Sequence, residues 1–388
     1  MIKNCANCLM PDTAETLTFN NKNVCSVCTQ IESKESIDWK KRSKDLDLLI
    51  NKYKSKSNKY DCIVPFSGGK DSTFALWYLV SQKKLNPLVV RFDHSFLRST
   101  VQKNTTKTLS KLKVDFIDFK SNFEIVKKTM LESLKRRGDF CWHCHVGISA
   151  LPINIAIEKK IKLLFYGEPS SEYSSFYDYS EPEELNEEKF NRFINLGINA
   201  QDMYEMIKSS NPNEKVSIED LKPYFFPSNF ELKKNKIFAS YLGNYIPWDV
   251  KKQVEIIKKE LDWEGDRVEG VPPEFDYEKI ECIMQGSRDY IKFMKRGFGR
   301  TTHLASIDIR NKRIKKKDGK ELVKLYDGKR PRSIDLLMKI LKLSEKELYE
   351  IVTKHTVYPH NKMSFQEFKS KKSNFSPKEI EEWFDRFK

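Results

Sequence analysis

The sequence predicts an α/β fold, with helices on both faces of a Rossmann-like parallel sheet, between a small cysteine-rich module and a mainly helical C-terminal region. Strand-like and helix-like segments alternate between residues 60 and 167, and the first strand ends in a glycine turn that leads directly into a helix. Two CxxC pairs lie within the first 28 residues. The expected domains are the cysteine module (1–30), a linker helix (31–58), the α/β core (59–177) and a mainly helical insertion with the C-terminal region (178–388).

The alternating segments define the core elements in order. Apolar and β-branched runs predict strands over 60–66, 87–92, 114–119 and 162–167. Amphipathic patterns predict helices over 72–82, 100–112, 122–136 and 146–159. Ligands of parallel sheets bind beyond the carboxyl ends of the strands, which nominates the following loop residues: Asp93 after the second strand, and Gly167, Glu168 and Glu172 after the fourth.

The turn after the first strand reads Ser67-Gly-Gly-Lys-Asp-Ser72. Adjacent glycines let bare backbone N–H groups approach an anion, and the following helix adds its positive dipole end. Lys70 suits phosphate oxygens, whereas a carboxylate at Asp71 repels a polyphosphate unless a divalent cation lies between them. The turn therefore predicts phosphate together with Mg²⁺. The alternative is a simple strand-to-helix turn with Ser72 as the N-cap.

This spacing differs from the Walker A loop, which has four residues between its first Gly and Gly-Lys. It resembles the Ser-Gly-Gly-x-Asp-Ser loop of the PP-loop ATP pyrophosphatases, enzymes that cleave ATP between the α and β phosphates and transfer AMP to a carbonyl oxygen. The resemblance implies catalytic roles for Lys70 and Asp71. It also implies an ATP site made of the loop and its neighbours: Ser67, Gly68, Gly69, Lys70, Asp71, Ser72, Thr73, Asp93 and Gly167.

The eight cysteines fall into distinct groups. Cys5/Cys8 and Cys25/Cys28 are CxxC pairs separated by 16 residues, a spacing typical of a closed, structural Cys₄ zinc site, with redox pairs or an iron–sulfur cluster as alternatives. Cys141 and Cys144 form a third pair, for which three interpretations stay open. They hold a second metal or cluster, with Cys282 as a further ligand, they form a redox pair, or they only shape the pocket. Cys62 is expected in the core.

Composition narrows the classes of partner. The net charge is +15, from 70 basic and 55 acidic residues, which fits nucleic acid, an anionic small substrate or a lysine-rich composition without a specific partner. No apolar run approaches the roughly 18 residues that a membrane span needs, and the N-terminus lacks a signal-peptide core. We therefore expect a cytoplasmic protein with no membrane partner.

The whole chain resembles the N-acetyl sugar amidotransferases of bacterial surface-glycan biosynthesis. The resemblance is carried by several motifs along the sequence, namely Cys5–Thr13, Thr18–Cys28, Ser67–Ser72, Tyr245–Asp249, Phe298–Arg300, Ser306–Arg310 and Tyr326–Gly328. Relatives make acetamidino forms of pseudaminic, legionaminic or mannuronic-acid derivatives for lipopolysaccharide O-antigen or glycosylated flagellin.

The resemblance implies a reaction in which ATP adenylates an acetamido oxygen and ammonia then gives the acetamidino group, with AMP and pyrophosphate released. It implies ATP and Mg²⁺, structural zinc, an acetamido sugar or nucleotide sugar as substrate, and a separate glutaminase with a conduit subunit as ammonia source. Arg296, Arg300 and Arg310, together with Glu168 and Glu172, are the expected substrate contacts.

Two other functions remain open. A tRNA thiolation enzyme would use the same adenylation on a nucleobase, and it is favoured by the basic charge and by Cys141, Cys144 and Cys282. Against it stands the lack of a recognisable RNA-binding module, so nucleic acid is not the expected partner. A nucleotide-gated scaffold built around zinc is the non-enzymatic alternative.

Overall fold

A computed structural model describes residues 2–54, 59–172, 177–370 and 372–387. Within these residues a sheet of five parallel strands lies in the order β3-β2-β1-β4-β5. The strands are β1 (Cys62–Pro65), β2 (Pro87–Asp93), β3 (Asp115–Lys120), β4 (Leu163–Tyr166) and β5 (Phe238–Tyr241). The predicted α/β fold is confirmed. The strand order reverses between β1 and β4, where open parallel sheets form their ligand crevice.

Helices cover the sheet and build the remainder of the described chain. The α-helices are α1 (Ser26–Glu35), α2 (Trp39–Tyr53), α3 (Lys70–Ser81), α4 (Ser99–Leu112), α5 (Phe123–Arg137), α6 (Trp142–Lys159), α7 (Glu187–Lys189), α8 (Ala200–Ser210), α9 (Asn229–Asn235), α10 (Val250–Leu261), α11 (Gln285–Arg296), α12 (Arg300–Arg310), α13 (Lys316–Tyr326), α14 (Ser333–Leu341), α15 (Glu345–Thr353), α16 (Phe365–Ser370) and α17 (Glu379–Asp385). Residues 55–58 of the expected linker lie outside the described residues.

The two faces of the sheet bury different helices because side chains alternate along each strand. Val64 and Val89 point into a core that they share with α3 and α10, whereas Ile63 and Val90 join a second core with α6 and α8. A third apolar cluster unites α5 with the C-terminal helices α11, α14, α15 and α17. The C-terminal region is therefore packed directly onto the α/β core.

The fifth strand was not predicted, since the segment after residue 178 was expected to be mainly helical. Its four residues, Phe-Ala-Ser-Tyr, carry too short an apolar pattern to be recognised in the sequence. In the structure β5 pairs with β4. The backbone N–H and C=O groups on this side of β4 therefore form hydrogen bonds with β5 instead of lying at an open edge. The alternative N-cap at Ser72 is wrong, because α3 begins at Lys70 with Gly69 as its N-cap.

The N-terminal module docks on the C-terminal helices rather than on the sheet. The Leu9 N–H donates to Ser306 Oγ of α12 (3.2 Å), and Thr13 Oγ1 donates to the carbonyl of Arg296 (2.6 Å). Phe298 and Ile309 pack in the same apolar cluster as the four N-terminal cysteines.

No single helix in the described ranges is long and apolar enough to cross a bilayer. The pair α5 and α6 reaches the required length and composition only when taken together, and these helices are bent by 116° at the break between them.

Candidate active site

The loop after β1 folds into a compact turn at the carboxyl end of the sheet. The Ser67 N–H donates to Ser72 Oγ (3.1 Å), and the Gly69 N–H donates to Ser67 Oγ (3.2 Å). Gly68 has φ +81°, a left-handed conformation that glycine adopts without strain. A Cβ on Gly68 would lie 2.8 Å from Thr105 Oγ1, so the turn has no room for a side chain. The backbone is thus shaped before any ligand binds.

Two polar atoms of the loop have no hydrogen-bond partner in the structure. They are Asp71 Oδ1 and Thr73 Oγ1, both buried at the start of α3. Buried polar atoms normally find partners, so two orphans beside a glycine turn and a helix N-terminus mark a place for a polar ligand. A carboxylate oxygen with no partner suits a hard divalent cation, and the residues therefore fit a magnesium–polyphosphate group.

Lys70 lies at the centre of a charged network that joins the loop to the C-terminal region. Its ammonium is 2.8 Å from Asp71 Oδ2 and 3.0 Å from Glu278 Oε2. Burial opposes the charged form, but Asp71, Glu278 and Glu168 together hold the pKa of Lys70 well above its ordinary value. Lys70 is therefore a permanent cation, available to phosphate oxygens that displace one of its carboxylates.

Glu278 connects the loop to a second cation, Arg300. One carboxylate oxygen of Glu278 lies 3.4 Å from Arg300 Nη1, while the other contacts Lys70. Burial would raise the pKa of Glu278, but Lys70, Lys279 and Arg300 lower it below its ordinary value. Arg300 is also held by Asp289 at 3.0 Å. A buried carboxylate between two cations fixes the relative positions of the loop and α12.

Glu281 covers the outer side of the phosphate loop. Its Oε1 accepts a hydrogen bond from Ser67 Oγ (3.3 Å), and a Cβ on Gly69 would lie 1.8 Å from the same oxygen. The carboxylate therefore occupies the side of the loop that glycine leaves open. An incoming phosphate competes with Glu281 for these donors, since both are anions.

Residues after the neighbouring strands complete the crevice. Gly167 follows β4, and a Cβ there would lie 2.9 Å from the carbonyl of Asp71, so glycine allows the two loops to touch. Burial, with Asp71 as the nearest negative charge, raises the pKa of Glu168 to about 8. Asp93 ends β2 and accepts the Ser95 N–H at 2.7 Å. The structure thus brings Gly167 and Glu168 to the loop, and it places Asp93 at the same edge of the sheet.

The opposite wall of the crevice is basic. Lys292 of α11 lies 4.2 Å from the ring of Phe298, and no described carboxylate is within ion-pair distance of its ammonium. Burial and the charge of Arg300 lower the pKa of Lys292 to about 7. Burial, with Lys292, Arg300 and Arg310 as cationic neighbours, lowers the pKa of His303 well below its ordinary value. This excess of positive charge favours an anionic ligand.

Three of the expected substrate contacts are engaged elsewhere. Arg296 pairs with Glu15 of the N-terminal module, and Arg310 Nη1 lies 3.9 Å from Cys8 Sγ. Glu172 pairs with Lys34 of α1 (2.5 Å) and accepts from Tyr179. These contacts give no support to a substrate role for Arg296, Arg310 or Glu172. The sequence spacing could not reveal this, because each partner lies far away along the chain.

The four N-terminal cysteines form a closed thiol cluster. Cys5 Sγ lies 3.8 Å from Cys28 Sγ, Cys8 Sγ lies 3.7 Å from Cys25 Sγ, and all four sulfur atoms lie within 4.8 Å of one another. Backbone N–H groups of Cys8, Cys25 and Met10 point at the sulfurs. Four buried thiols at this spacing suit one tetrahedral metal ion and leave no open position.

In the described part of the chain, this cluster is the only group of three or more metal-ligating side chains close enough to share an ion. A single ion at Cys141 and Cys144 is therefore not supported. Cys141 begins α6, Cys144 lies in its first turn, and both are free thiols.

Sequence reasoning missed the residues that the C-terminal region contributes. Glu278, Lys279 and Glu281 precede α11, and Lys292 and His303 lie on α11 and α12. One sequence signal for the first three was available: charges concentrated in Asp276-Tyr-Glu-Lys-Ile-Glu-Cys282 between apolar positions. Lys279 adopts a left-handed backbone (φ +51°), as several other lysines of this chain do.

Comparison with known families identifies this region. Residues 274–388 match the model of the family described as LPS biosynthesis protein WbpG-like, C-terminal domain. This part of the chain is therefore similar to a WbpG-like C-terminal domain, which agrees with the resemblance found in the sequence. The match begins at the segment that carries Glu278 and Glu281.

Two individual proteins are also similar. An uncharacterized protein of Methanocaldococcus jannaschii is 29% identical over 136 residues, which are 34% of this chain and 46% of that protein. The match thus spans less than half of the relative's length. The solved U34-tRNA thiolase NcsA from Methanococcus maripaludis, with its [4Fe-4S] cluster, aligns over 84% of this chain and 89% of its own at 14% identity. The TM-score of this alignment is 0.29, so the similarity supports no conclusion about the fold or function of this chain.

Proposed function

We propose that this protein is an AMP-forming amidotransferase that converts an acetamido group of a bacterial surface-glycan sugar into an acetamidino group. One observation carries the proposal. The WbpG-like region supplies Glu278, Glu281 and Arg300 to the same crevice as the phosphate loop, and Glu278 contacts Lys70 directly at 3.0 Å. A region similar to a lipopolysaccharide-biosynthesis domain thus contacts the loop that we propose binds the nucleotide.

The first step needs the amide oxygen to be made a leaving group. The acetamido oxygen attacks the α phosphorus of ATP, and the bond between the α phosphorus and the bridging oxygen to the β phosphate breaks. Backbone N–H groups of Gly68 and Gly69, with Lys70, bind the departing pyrophosphate and stabilise its charge. Mg²⁺, held by Asp71, would supply further charge neutralisation.

The second step replaces the oxygen. Ammonia attacks the activated carbon, and AMP leaves with the former carbonyl oxygen. The nitrogen must lose a proton as the acetamidino group forms. Glu168 is suited to accept it, since its pKa of about 8 is close to the pH at which ammonia is available and its carboxyl lies among the loop residues.

The substrate itself is expected to carry negative charge. Lys292 and Arg300 give this wall its positive charge, whereas His303 is neutral because its pKa lies well below the ordinary value; the ammonium of Lys292 has no described carboxylate within ion-pair distance. A sugar carboxylate or the diphosphate of a nucleotide sugar would satisfy this charge. The cysteine cluster of the N-terminal module is proposed to hold structural zinc. Ammonia is proposed to come from a separate glutaminase, with a conduit subunit, in the cytoplasm.

The test is product analysis with purified protein. ATP, ammonium and a panel of acetamido sugars should give AMP, pyrophosphate and a sugar with the small mass loss that exchange of oxygen for NH produces. Asp71→Asn should form these products at least about 10²-fold more slowly, whereas Lys83→Ala, just beyond the C-terminal end of α3 and paired with Asp47, should behave as wild type. Release of ADP and orthophosphate instead would overturn the proposal.

A second candidate is sulfur transfer to a tRNA base after the same adenylation. The observation that favours it is that Cys282 directly follows Glu281, which contacts Ser67 of the phosphate loop, and packs against the apolar cluster that contains Cys141. Binding of tRNA with a steep dependence on salt, and AMP formation that requires tRNA rather than sugar, would select this candidate. Sugar-dependent AMP formation without tRNA would exclude it.

A further inference from the structure

The carboxylate of Glu281 lies at the phosphate loop in a place suited to a phosphate group. Its Oε1 accepts a hydrogen bond from Ser67 Oγ (3.3 Å). A Cβ on Gly69 would lie 1.8 Å from the same oxygen and 2.4 Å from the carboxylate carbon, so the carboxylate packs directly against the bare backbone of this glycine. Gly69 is the N-cap of α3, and open backbone at a helix N-terminus is a typical contact for phosphate. A side-chain anion therefore occupies the loop.

The phosphate loop is held in place from its other side. The indole N–H of Trp263 donates to the carbonyl of Gly68 (3.1 Å). A Cβ on Gly68 would lie 2.8 Å from Val101 Cγ1 and from Thr105 Oγ1 of α4, so this side of the loop is filled. The loop cannot retreat into this packing to make room for a ligand. A phosphate group therefore approaches from the side on which Glu281 lies.

The backbone that carries Glu281 is fixed, whereas its side chain is free to rotate. The Arg98 N–H donates to the carbonyl of Glu281 (3.3 Å), and the Ile283 N–H donates to the carbonyl of Phe96 (3.0 Å). These two bonds hold the segment against the loop after β2. The side chain of Glu281 is half-buried, and its torsions allow the carboxylate to leave the loop while the backbone stays. A ligand can thus displace the carboxylate without opening the fold.

Negative charge already surrounds the only loop cation that this competition involves, Lys70. Asp71 Oδ2 and Glu278 Oε2 lie 2.8 and 3.0 Å from its ammonium, and Glu281 adds a third carboxylate at the loop. A bare phosphate anion is repelled by these groups, whereas a divalent cation bound to the phosphate reduces the repulsion. We propose that Glu281 is a specificity-determining residue, which competes with bare phosphate anions and makes the loop select polyphosphate bound to a divalent cation.

This competition acts on both ends of the proposed reaction. Inorganic phosphate and metal-free nucleotide offer the same oxygens as the substrate, but they lack the cation that offsets Glu281. Pyrophosphate that loses its cation after the reaction meets the same repulsion, so the returning carboxylate assists its release. The inference rests on the phosphate loop of the proposed function as a polyphosphate site. It does not depend on whether the acceptor is a sugar or a tRNA base.

The test is calorimetric titration of the full chain with pyrophosphate, once with Mg²⁺ and once with EDTA, at constant ionic strength because salt screens exposed charges. Wild type should bind pyrophosphate at least about 100-fold more tightly with Mg²⁺ than with EDTA. Glu281→Gln should tighten metal-free binding about tenfold and change binding with Mg²⁺ by less than about threefold, because only the bare anion is strongly repelled. Glu274→Gln, an exposed carboxylate seven positions earlier, is the control and should match wild type.

Glu281→Gln keeps the size of the side chain and an oxygen for Ser67, so its melting temperature should equal that of wild type. Unchanged metal-free affinity in this variant would overturn the inference, and so would an equal change in Glu274→Gln. Weaker binding with Mg²⁺ would also overturn it, because Glu281 would then be a metal ligand. Failure of all three proteins to bind pyrophosphate with Mg²⁺ would overturn the nucleotide site as well. The expected affinities without any amidotransferase product would support this inference and contradict the proposed function alone.

Discussion

The two CxxC regions of this chain use one motif in opposite ways. Cys5/Cys8 lies in a turn and Cys25/Cys28 at the beginning of α1, with backbone N–H groups aimed at sulfur and all four thiols within reach of one ion. Cys141/Cys144 also lies at the beginning of a helix, α6, but among the described residues these two thiols belong to no group that could share one ion. The first region is a closed cluster of four buried thiols, whereas Cys144 of the second region stays half-buried and free.

This difference shows that the residues packed around a CxxC pair, rather than the CxxC motif itself, decide the role of the two thiols. Two cationic side chains cover the N-terminal cluster. Lys316 donates to the carbonyls of Cys5 and Ala6, and Arg310 lies beside Cys8. Around Cys144 and Cys282 lie Arg288 and the crevice. Changes in the first region should therefore affect stability, and changes at the crevice should affect chemistry.

The largest expected effect is on stability, from Cys25→Ser in the N-terminal cluster. Loss of one thiolate removes the ion that joins the Cys5/Cys8 pair to the Cys25/Cys28 pair. The free energy of unfolding should therefore fall by about 4 kcal/mol or more. Zinc analysis and thermal unfolding measure this, with Cys62→Ala as the control. A folded Cys25→Ser protein with wild-type stability but no activity would mean that this metal is catalytic, and the comparison would fail.

The next effect is on catalysis, from Asp71→Asn at the crevice. The unpartnered Oδ1 loses its negative charge, so the rate of AMP formation should fall about 10²–10³-fold with the melting temperature nearly unchanged. Lys83→Ala, just beyond the C-terminal end of the same helix, is the matched control. Wild-type turnover by Asp71→Asn would contradict the proposal that this carboxylate binds the metal ion.

A smaller effect distinguishes two neighbouring cations of α11. Lys292→Met should raise KM for an anionic acetamido sugar about tenfold, because the crevice loses a charge that has no internal partner. Arg296→Met, one turn further along and paired with Glu15, should leave KM unchanged. Since the pKa of Lys292 is about 7, KM for wild type should rise as pH increases through 7 and the ammonium loses its proton. An equal KM change in both variants would contradict the prediction that Lys292, and not Arg296, contacts the substrate.

The smallest effect is the pH dependence of stability from Glu168. Its folded-state pKa of about 8 lies above the ordinary value of 4.5, so the folded state binds the proton more tightly and stability falls as pH rises between these values. Glu168→Gln should remove this fall and be more stable than wild type at pH 9 by on the order of 1 kcal/mol, allowing for solvent screening. If the melting temperatures of wild type and Glu168→Gln change by the same amount across pH 5–9, the raised pKa assigned to Glu168 is wrong.

Local patterns predicted most of the core. The phosphate loop, the first four strands and the helices after them follow from apolar periodicity and glycine placement, and their bounds agree with the structure within a few residues. The cysteine pairs of the N-terminal cluster follow from spacing alone. In contrast, β5 was missed because four residues are too few to show an apolar period, and they become a strand only beside β4.

The crevice shows the limit more clearly. Lys70 and Asp71 can be proposed from the sequence because the residues that build a glycine turn are adjacent. Glu278 and Lys292 could not be proposed in this way, because a charge in a sequence does not indicate its partner, and the substrate roles of Arg296 and Arg310 stay predictions. Folding pairs Arg296 with Glu15, turns Arg310 to Cys8 and leaves Lys292 without a described carboxylate.

The sequence by itself determined the phosphate-binding turn and the closed thiol cluster, because each depends on groups within about 30 residues of one another. Only the tertiary structure decided that β4 and β5 pair beside β1, which charges are neutralised and which remain available to a ligand. The physical reason is that electrostatic and ligand interactions act through space, so residues such as Lys70 and Glu278 interact strongly although 200 positions separate them.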